Sequence, residues 1–119
     1  VHPTWRGGGL QRWLIQQRIA LAGDCAVFAT AAPCNLPSWH NLLAAGLMVR
    51  GLQYRYGGHA RYLIARVPGD TFEGDQKHAR ELGPEVLDLQ QQLLDQGWRG
   101  LRPGAQPERL CLAPAARDR

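Results

Sequence analysis

The sequence predicts an α+β (α/β) fold, in which a helix–strand–helix–hairpin unit with a mixed sheet is followed by a C-terminal helix and a short strand. Apolar residues recur at helical spacing in separate segments, and short runs rich in Val, Leu, Ile and Tyr are bounded by glycine and proline. The chain has 119 residues, of which 45% are hydrophobic and 20% are charged. This length and composition are typical of one globular domain.

The N-terminal part is predicted to contain a helix, a strand and a second helix. Apolar residues at helical spacing predict an amphipathic helix over residues 10–22. Residues 25–30 form a continuous apolar run, which predicts a strand buried on both faces and places Cys25 in the core. Ser38 is a good N-cap for a second helix, which Gly46 ends.

Two further runs predict a β-hairpin. Residues 47–56 and 60–67 are rich in Val, Leu, Ile and Tyr, and a short segment with two glycines joins them. Residues 71–83 are polar and show little periodicity, which predicts a linker or a peripheral loop.

The C-terminal part is predicted to contain a helix and a short strand. Pro84 suits the first turn of a helix that ends at Gly97. The strand is expected over residues 109–112, paired with residues 98–101. We therefore expect three parts: a first part over residues 1–69, a loop or linker over residues 70–83, and an extension over residues 84–119 that packs on the first part.

Charge is distributed unevenly along the chain. Residues 1–69 contain seven arginines and one acidic residue, Asp24, whereas residues 70–119 contain seven basic and nine acidic residues. A basic surface attracts polyanions, so the first part could meet nucleic acid, an anionic membrane face or a cofactor with several phosphates. Nucleic acid ranks last among these partners, because the arginines are not clustered with stacking aromatic residues in a recognisable motif.

Several classes of protein are excluded by pattern. No apolar stretch approaches the roughly 20 residues that span a bilayer, and no secretory signal opens the chain, so we expect no membrane contact. Cys25, Cys34 and Cys111 are too widely spaced for a structural zinc site and indicate a reducing, cytoplasmic setting, with Cys25 and Cys111 buried. The chain starts at Val1, and its only methionine is Met48, so we expect it to be a piece of a longer protein.

A glycine turn before the first helix predicts an anion site. Three successive glycines let the backbone approach a ligand closely, and the first turn of a helix adds unpaired N–H donors and the positive end of the helix dipole. Arg6 can add a charge-assisted contact to a diphosphate. The alternative is a flexible linker before an ordinary helix. Neither the P-loop pattern nor the dinucleotide fingerprint fits, because no Gly-Lys-Ser/Thr follows and Arg12 stands where the third glycine would be.

The same turn resembles the cofactor motif of the GNAT family of N-acetyltransferases, which reads Gln or Arg, two residues, Gly, one residue, then Gly or Ala. Arg6 and Gly9 match, whereas Gln11 stands where a small residue is usual. Asn35, Ser38, Gly46 and Leu47 are similar in spacing to the second cofactor-contacting segment of relatives that act on ribosomal-protein N-termini. With the hairpin, the resemblance covers residues 1–67 and implies the C-terminal half of a GNAT fold.

The resemblance implies acetyl-CoA (coenzyme A) as cofactor and a primary amine, from a protein N-terminus or a small molecule, as acceptor. The implied cofactor-binding residues are Arg6, Gly7, Gly8, Gly9, Leu10, Gln11, Asn35 and Ser38. In this family the amine attacks the thioester directly, and Ser38 is the candidate contact to the departing thiolate. The N-cap role is at least as good a reading of Ser38, and the two are compatible. Asn35 is the candidate contact to the pantetheine arm.

Two functions remain open. The first is the acetyl-CoA-binding part of an N-acetyltransferase, which would act together with an upstream half or a second chain that completes the sheet and supplies the general base. The second is a non-catalytic module of the same type that binds coenzyme A or a partner. In the resemblance, residues 1–69 are the acetyl-CoA-binding half of the domain, and the strands of the other half lie upstream. We therefore expect an exposed sheet edge on the side where those strands belong, and no amine acetylation by this chain alone.

Overall fold

The computed structural model describes residues 9–55, 58–69 and 72–116. The helices within these ranges are α1 (Gly9–Ala22), α2 (Leu36–Ala44) and α3 (Leu87–Asp95). The strands are β1 (Val27–Ala31), β2 (Met48–Arg55), β3 (His59–Arg66), β4 (Arg80–Leu82), β5 (Arg99–Pro103) and β6 (Leu110–Ala113). Short 3₁₀ turns at Gln76–His78 and Pro84–Val86 precede β4 and α3. The predicted α+β composition is confirmed.

The strands form one six-stranded sheet in the order β1-β3-β2-β5-β6-β4. Every pairing between these strands is antiparallel, so the mixed sheet expected from the sequence is wrong for the described strands. The reason is the position of β3, which lies between β1 and β2 and is antiparallel to both. β1 and β2 run in the same direction, but they are not neighbours.

Most predicted elements form near their expected positions. The first helix, the hairpin of β2 and β3, the C-terminal helix and the antiparallel pair of β5 and β6 are confirmed. The expected loop differs, because it contains β4, which pairs with β6. A strand of three residues is too short to show a period in the sequence, and its backbone hydrogen bonds come from a distant partner.

The sheet is continuous across the two ends of the chain. β2 pairs with β5 at Val49 and Gly100. A Cβ atom at Gly100 would lie 2.9 Å from Cβ of Val49 and 2.8 Å from Cδ2 of Leu110, so this close approach requires glycine. Strands from residues 1–69 and from residues 84–119 therefore belong to one sheet.

Trp39 lies at the centre of the core between α2 and the sheet. Its side chain is 0% exposed, and its Nε1–H donates to the carbonyl oxygen of Pro33 at 3.0 Å. Its ring meets the ring of Tyr62 edge-on, with 5.7 Å between the centroids. The indole therefore joins α2, the loop before α2 and β3.

A buried polar network joins α3 to the sheet. The hydroxyl of Tyr62 donates to Oε1 of Gln90 at 2.8 Å, and both side chains are almost fully buried. The Nε2 of Gln90 donates to the carbonyl oxygens of Leu82 and Gly83 at 3.2 and 2.9 Å. The amide thus satisfies three polar groups that water does not reach.

The network predicts a loss of stability at alkaline pH. Burial raises the pKa of Tyr62 from 10.0 to about 12, against the opposing effect of the Gln90 hydrogen bond. Because the folded state favours the neutral phenol, Tyr62 makes its full contribution to the unfolding free energy below pH 10. This contribution is lost as the pH rises towards 12. We expect urea unfolding to report a decrease of about 2–3 kcal/mol over this window. In Tyr62→Phe the decrease should shrink by this amount, and an identical decrease in both proteins would contradict the prediction.

Candidate cofactor-binding site

Helix α1 begins at Gly9, the last glycine of the predicted turn. No acidic side chain lies in its first turn, so the unpaired N–H groups and the positive end of the helix dipole are not neutralised by the helix itself. Leu10 is 40% exposed in this turn. The predicted ligands Arg6, Gly7 and Gly8 lie outside the described residues, as does the side chain of Gln11.

Helix α2 begins three residues earlier than the sequence predicts. Asn35 is its N-cap, Pro37 lies in the first turn, and Ser38 is the third helical residue. The N-cap role assigned to Ser38 is therefore wrong. Proline has a fixed φ and no N–H to leave unpaired, so Pro37 favours the earlier start. Ser38 is half-buried inside the helix.

Asn35 is exposed at the start of α2, and its side chain makes no capping hydrogen bond. The first turn of α2, like that of α1, carries no acidic residue. The amide of Asn35 is thus available at a helix N-terminus whose dipole favours an anion or a carbonyl oxygen.

The two helices are joined by one polar contact that sequence analysis missed. Nε of Arg12, in α1, donates to Oδ1 of Asn41, in α2, at 2.6 Å. Asn41 is 3% exposed, and a charge-assisted hydrogen bond at such a position fixes the two helices relative to each other. The sequence carries no signal for this pair, because the residues are 29 positions apart and match no motif.

Strand β1 is at the edge of the sheet and pairs only with β3 among the described strands. Its burial alternates, with Val27 and Ala31 buried and Phe28 66% exposed, so the prediction of a strand buried on both faces is wrong. Nη2 of Arg18 donates to the carbonyl oxygen of Phe28 at 3.1 Å. An arginine from α1 therefore supplies a hydrogen-bond donor to one backbone carbonyl of this edge strand.

An open groove of about 580 Å³ runs over the outer face of β1, β3 and β2. Phe28, Thr30 and Leu63 contribute to its lining, together with Arg50 of β2. Nη2 of Arg61 donates to Oγ1 of Thr30 at 3.0 Å. This face combines apolar surface with arginines, and β1, β2 and β3 carry no acidic residue.

The three cysteines are free thiols in different surroundings. Cys111 is buried, as the sequence predicts. Cys25 is exposed, which contradicts its predicted place in the core, because β1 starts at Val27 and leaves Cys25 in the preceding turn. Cys34 is exposed and lines a groove of about 380 Å³ together with His59.

The remaining candidate side chains either bond to the rest of the protein or face solvent. Nε2 of His40 lies 2.7 Å from the carbonyl oxygen of Pro107, and it carries the proton because a carbonyl only accepts. Tyr54 is 45% exposed. Within residues 9–55, 58–69 and 72–116, no group of three or more His, Cys, Asp or Glu side chains is arranged to hold a metal ion.

None of the helices in the described ranges is long and apolar enough to cross a membrane.

Comparisons of the chain with protein-family models, with curated proteins and with solved structures find no match.

Proposed function

We propose that this chain is the acetyl-CoA-binding part of an N-acetyltransferase, which transfers an acetyl group to a primary amine by direct attack. The observation that carries this proposal is the contact between the first turn of α1 and helix α2. α1 and α2 both lack acidic residues in the first turn, and both flank β1. The hydrogen bond from Arg12, in the first turn of α1, to Asn41, in the second half of α2, holds the two helices together. The order from α1 to β3 is also the helix–strand–helix–hairpin order that the resemblance implies.

The residues present suit a cofactor that carries several phosphates. The first turn of α1 follows the glycine turn, so its N–H groups and Arg6 are the proposed partners of the diphosphate. Acidic residues are nearly absent from residues 1–69, which contain only Asp24, so little repulsion opposes a polyanion.

Two residues of α2 have proposed roles along the pantetheine arm. Asn35 has an unengaged amide at the N-terminus of α2, which suits a hydrogen bond to an amide of the arm. Ser38 lies one helical turn later, and its hydroxyl can donate to the departing thiolate. Acetyl-CoA supplies the activated thioester, and the acceptor amine must be unprotonated to attack it.

The open edge of β1 and the exposed ring of Phe28 support a further partner at this strand. An unpaired edge beside an apolar face is a surface that a further strand can cover. We propose that an upstream segment or a second chain completes the sheet here and contributes to the acceptor site. The three free thiols accord with a reducing, cytoplasmic setting, which is part of the same proposal.

A second candidate function is a non-catalytic module that binds coenzyme A. The edge position of β1 favours it, because none of the described strands lies where an upstream half would complete the sheet. Turnover separates the two candidates. Release of coenzyme A thiol from acetyl-CoA, dependent on an added amine, would support the enzyme, whereas binding without thiol release would support the module for this chain.

Calorimetry with coenzyme A tests the shared binding site. We expect the double variant Arg6→Ala with Gly9→Val to bind at least about tenfold more weakly, because it removes a charge-assisted contact and blocks the close backbone approach. Arg102→Ala is the matched control, since Arg102 is an exposed arginine that donates to Gln76 in the C-terminal extension. Undiminished affinity in the double variant would overturn the proposal.

Asn35→Ala separates binding from folding at the same site. Because the Asn35 side chain caps nothing, its removal should leave the urea midpoint unchanged while coenzyme A affinity falls. A lowered midpoint with unchanged affinity would assign Asn35 a structural role instead.

A further inference from the structure

A groove of about 960 Å³ lies in the C-terminal extension, where sequence analysis finds no chemistry. It is formed by the segment before β4, the start of β5 and the residues after β6. Its basic lining comes from Lys77, His78 and Arg80, and its apolar lining comes mainly from Trp98 and residues 114–116. None of these residues belongs to the proposed coenzyme A site.

The basic lining contrasts with the charge of the surrounding chain. Residues 70–119 carry more acidic than basic residues, yet Asp75 is the only acidic residue on the groove among the described ones. Its carboxylate is already engaged, because Oδ1 accepts from the backbone N–H of Lys77 at 3.0 Å and Oδ2 accepts from His78 at 2.6 Å. In the described part of the chain, no carboxylate pairs with Lys77 or Arg80.

The contact with Asp75 orients His78. The hydrogen bond from His78 holds the pKa of Asp75 below its ordinary value, so the carboxylate is ionised at neutral pH. A carboxylate only accepts, so the Nδ1 atom of His78 carries a proton, and Nε2 could donate to a phosphate only in the doubly protonated imidazolium. The imidazole is 71% exposed, which leaves Nε2 accessible.

Trp98 adds an aromatic side chain to the lining that holds Lys77 and Arg80. The residue is half-buried and packs in part against the core, and its backbone N–H donates to the carbonyl oxygen of Leu93 at 3.0 Å, which fixes it at the end of α3. Aromatic rings of this kind stack with the π-face of any nucleobase, and the cations beside it suit a phosphate.

We propose that this groove binds a nucleoside phosphate, with the phosphate at Lys77 and Arg80 and the base stacked on Trp98. A nucleoside phosphate matches both parts of the lining, whereas inorganic phosphate matches the cations alone and a nucleoside matches the indole alone. Binding here is independent of the function proposed for α1 and α2.

Calorimetry of the full chain with AMP, adenosine and inorganic phosphate as separate probes tests this site. We expect AMP to bind more tightly than either of the other probes. The double variant Lys77→Ala with Arg80→Ala should weaken AMP binding at least about tenfold, because it removes two charge-assisted contacts to the phosphate. Arg61→Ala removes a half-buried arginine from β3, outside this groove, and should leave AMP binding unchanged.

Two further variants test the indole and the independence of this groove from the proposed coenzyme A site. Trp98→Leu should weaken AMP binding without changing phosphate binding, and circular dichroism shows whether this variant is folded. The Arg6→Ala, Gly9→Val variant should retain AMP binding. No AMP binding, equal weakening in Arg61→Ala, or loss in the Arg6→Ala, Gly9→Val variant would overturn the proposal. The proposal would also be overturned if the chain bound an RNA oligonucleotide that AMP does not displace and if the Lys77→Ala, Arg80→Ala variant no longer bound that oligonucleotide.

Discussion

Trp39→Ala is expected to lower the unfolding free energy by about 3–5 kcal/mol. The side chain is fully buried, so its loss leaves a cavity and removes the edge-on contact with Tyr62. It also leaves the carbonyl oxygen of Pro33 without its Nε1–H donor. Urea unfolding followed by circular dichroism measures this loss.

Leu21→Ala is the control for this change, because Leu21 is 87% exposed at the end of α1. We expect its effect to stay within about 0.5 kcal/mol. Trp39→Phe keeps an aromatic ring but loses the bond to Pro33, so it should lie between the two. A loss below about 1 kcal/mol in Trp39→Ala would show that the core does not depend on this indole.

Trp39 also links the core to the proposed coenzyme A site. It immediately follows Ser38, and its hydrogen bond holds Pro33 in the loop that carries Asn35. If this loop positions the amide of Asn35, Trp39→Phe should lower coenzyme A affinity even where the protein remains folded. Unchanged affinity would limit Trp39 to a structural role.

Gln90→Leu is the second large expected effect, with a loss of about 2–4 kcal/mol in unfolding free energy. The substitution keeps the apolar volume of the side chain but removes the hydrogen-bond acceptor of the Tyr62 hydroxyl and one donor to each of the carbonyl oxygens of Leu82 and Gly83. The oxygen of Gly83 still accepts from the N–H of Val86 at 3.2 Å. Buried polar groups that lose their partners cost their full desolvation penalty.

A double-mutant cycle with Tyr62→Phe isolates the contact between the two side chains. The double variant removes the phenol and the amide together, so it should be less destabilised than the sum of the single variants. Strict additivity would show that the hydrogen bond between Tyr62 and Gln90 contributes no coupling. Gln92→Leu, on the exposed side of α3, is the matched control.

Local patterns predicted most elements because those elements depend on nearby residues. The glycines between β2 and β3 favour a reversal, and Gly58 has a φ of 92° that other residues rarely adopt. The apolar spacing of α1 indicates a helix. Gly97, with a φ of 100°, marks the end of α3. The sequence predicts Ser38 as the N-cap of α2, whereas the N-cap is Asn35. Ser38 and Pro37 both favour a helix start, and the fixed φ of Pro37 favours the earlier one.

The site residues stay a prediction. Their spacing singles out Asn35 and Ser38, and the structure places Asn35 at an exposed helix N-terminus and Ser38 in the first turn of α2. The sequence did not reveal that Arg12 bonds to Asn41 or that Arg18 bonds to the edge of β1. Such contacts depend on how helices pack, and no residue spacing along the chain encodes them.

The sequence by itself determined the helices, the hairpin and the acid-poor first part, since each depends on local backbone preference or on composition. Tertiary structure decided which strands are neighbours. It placed β3 between β1 and β2, so that the sheet is antiparallel, and it gave β4 its pairing with β6. It also left one face of β1 exposed and gathered Lys77, Arg80 and Trp98 around one groove. Strand pairing and burial join residues far apart in the chain, so they follow from the packing of the whole and not from any local pattern.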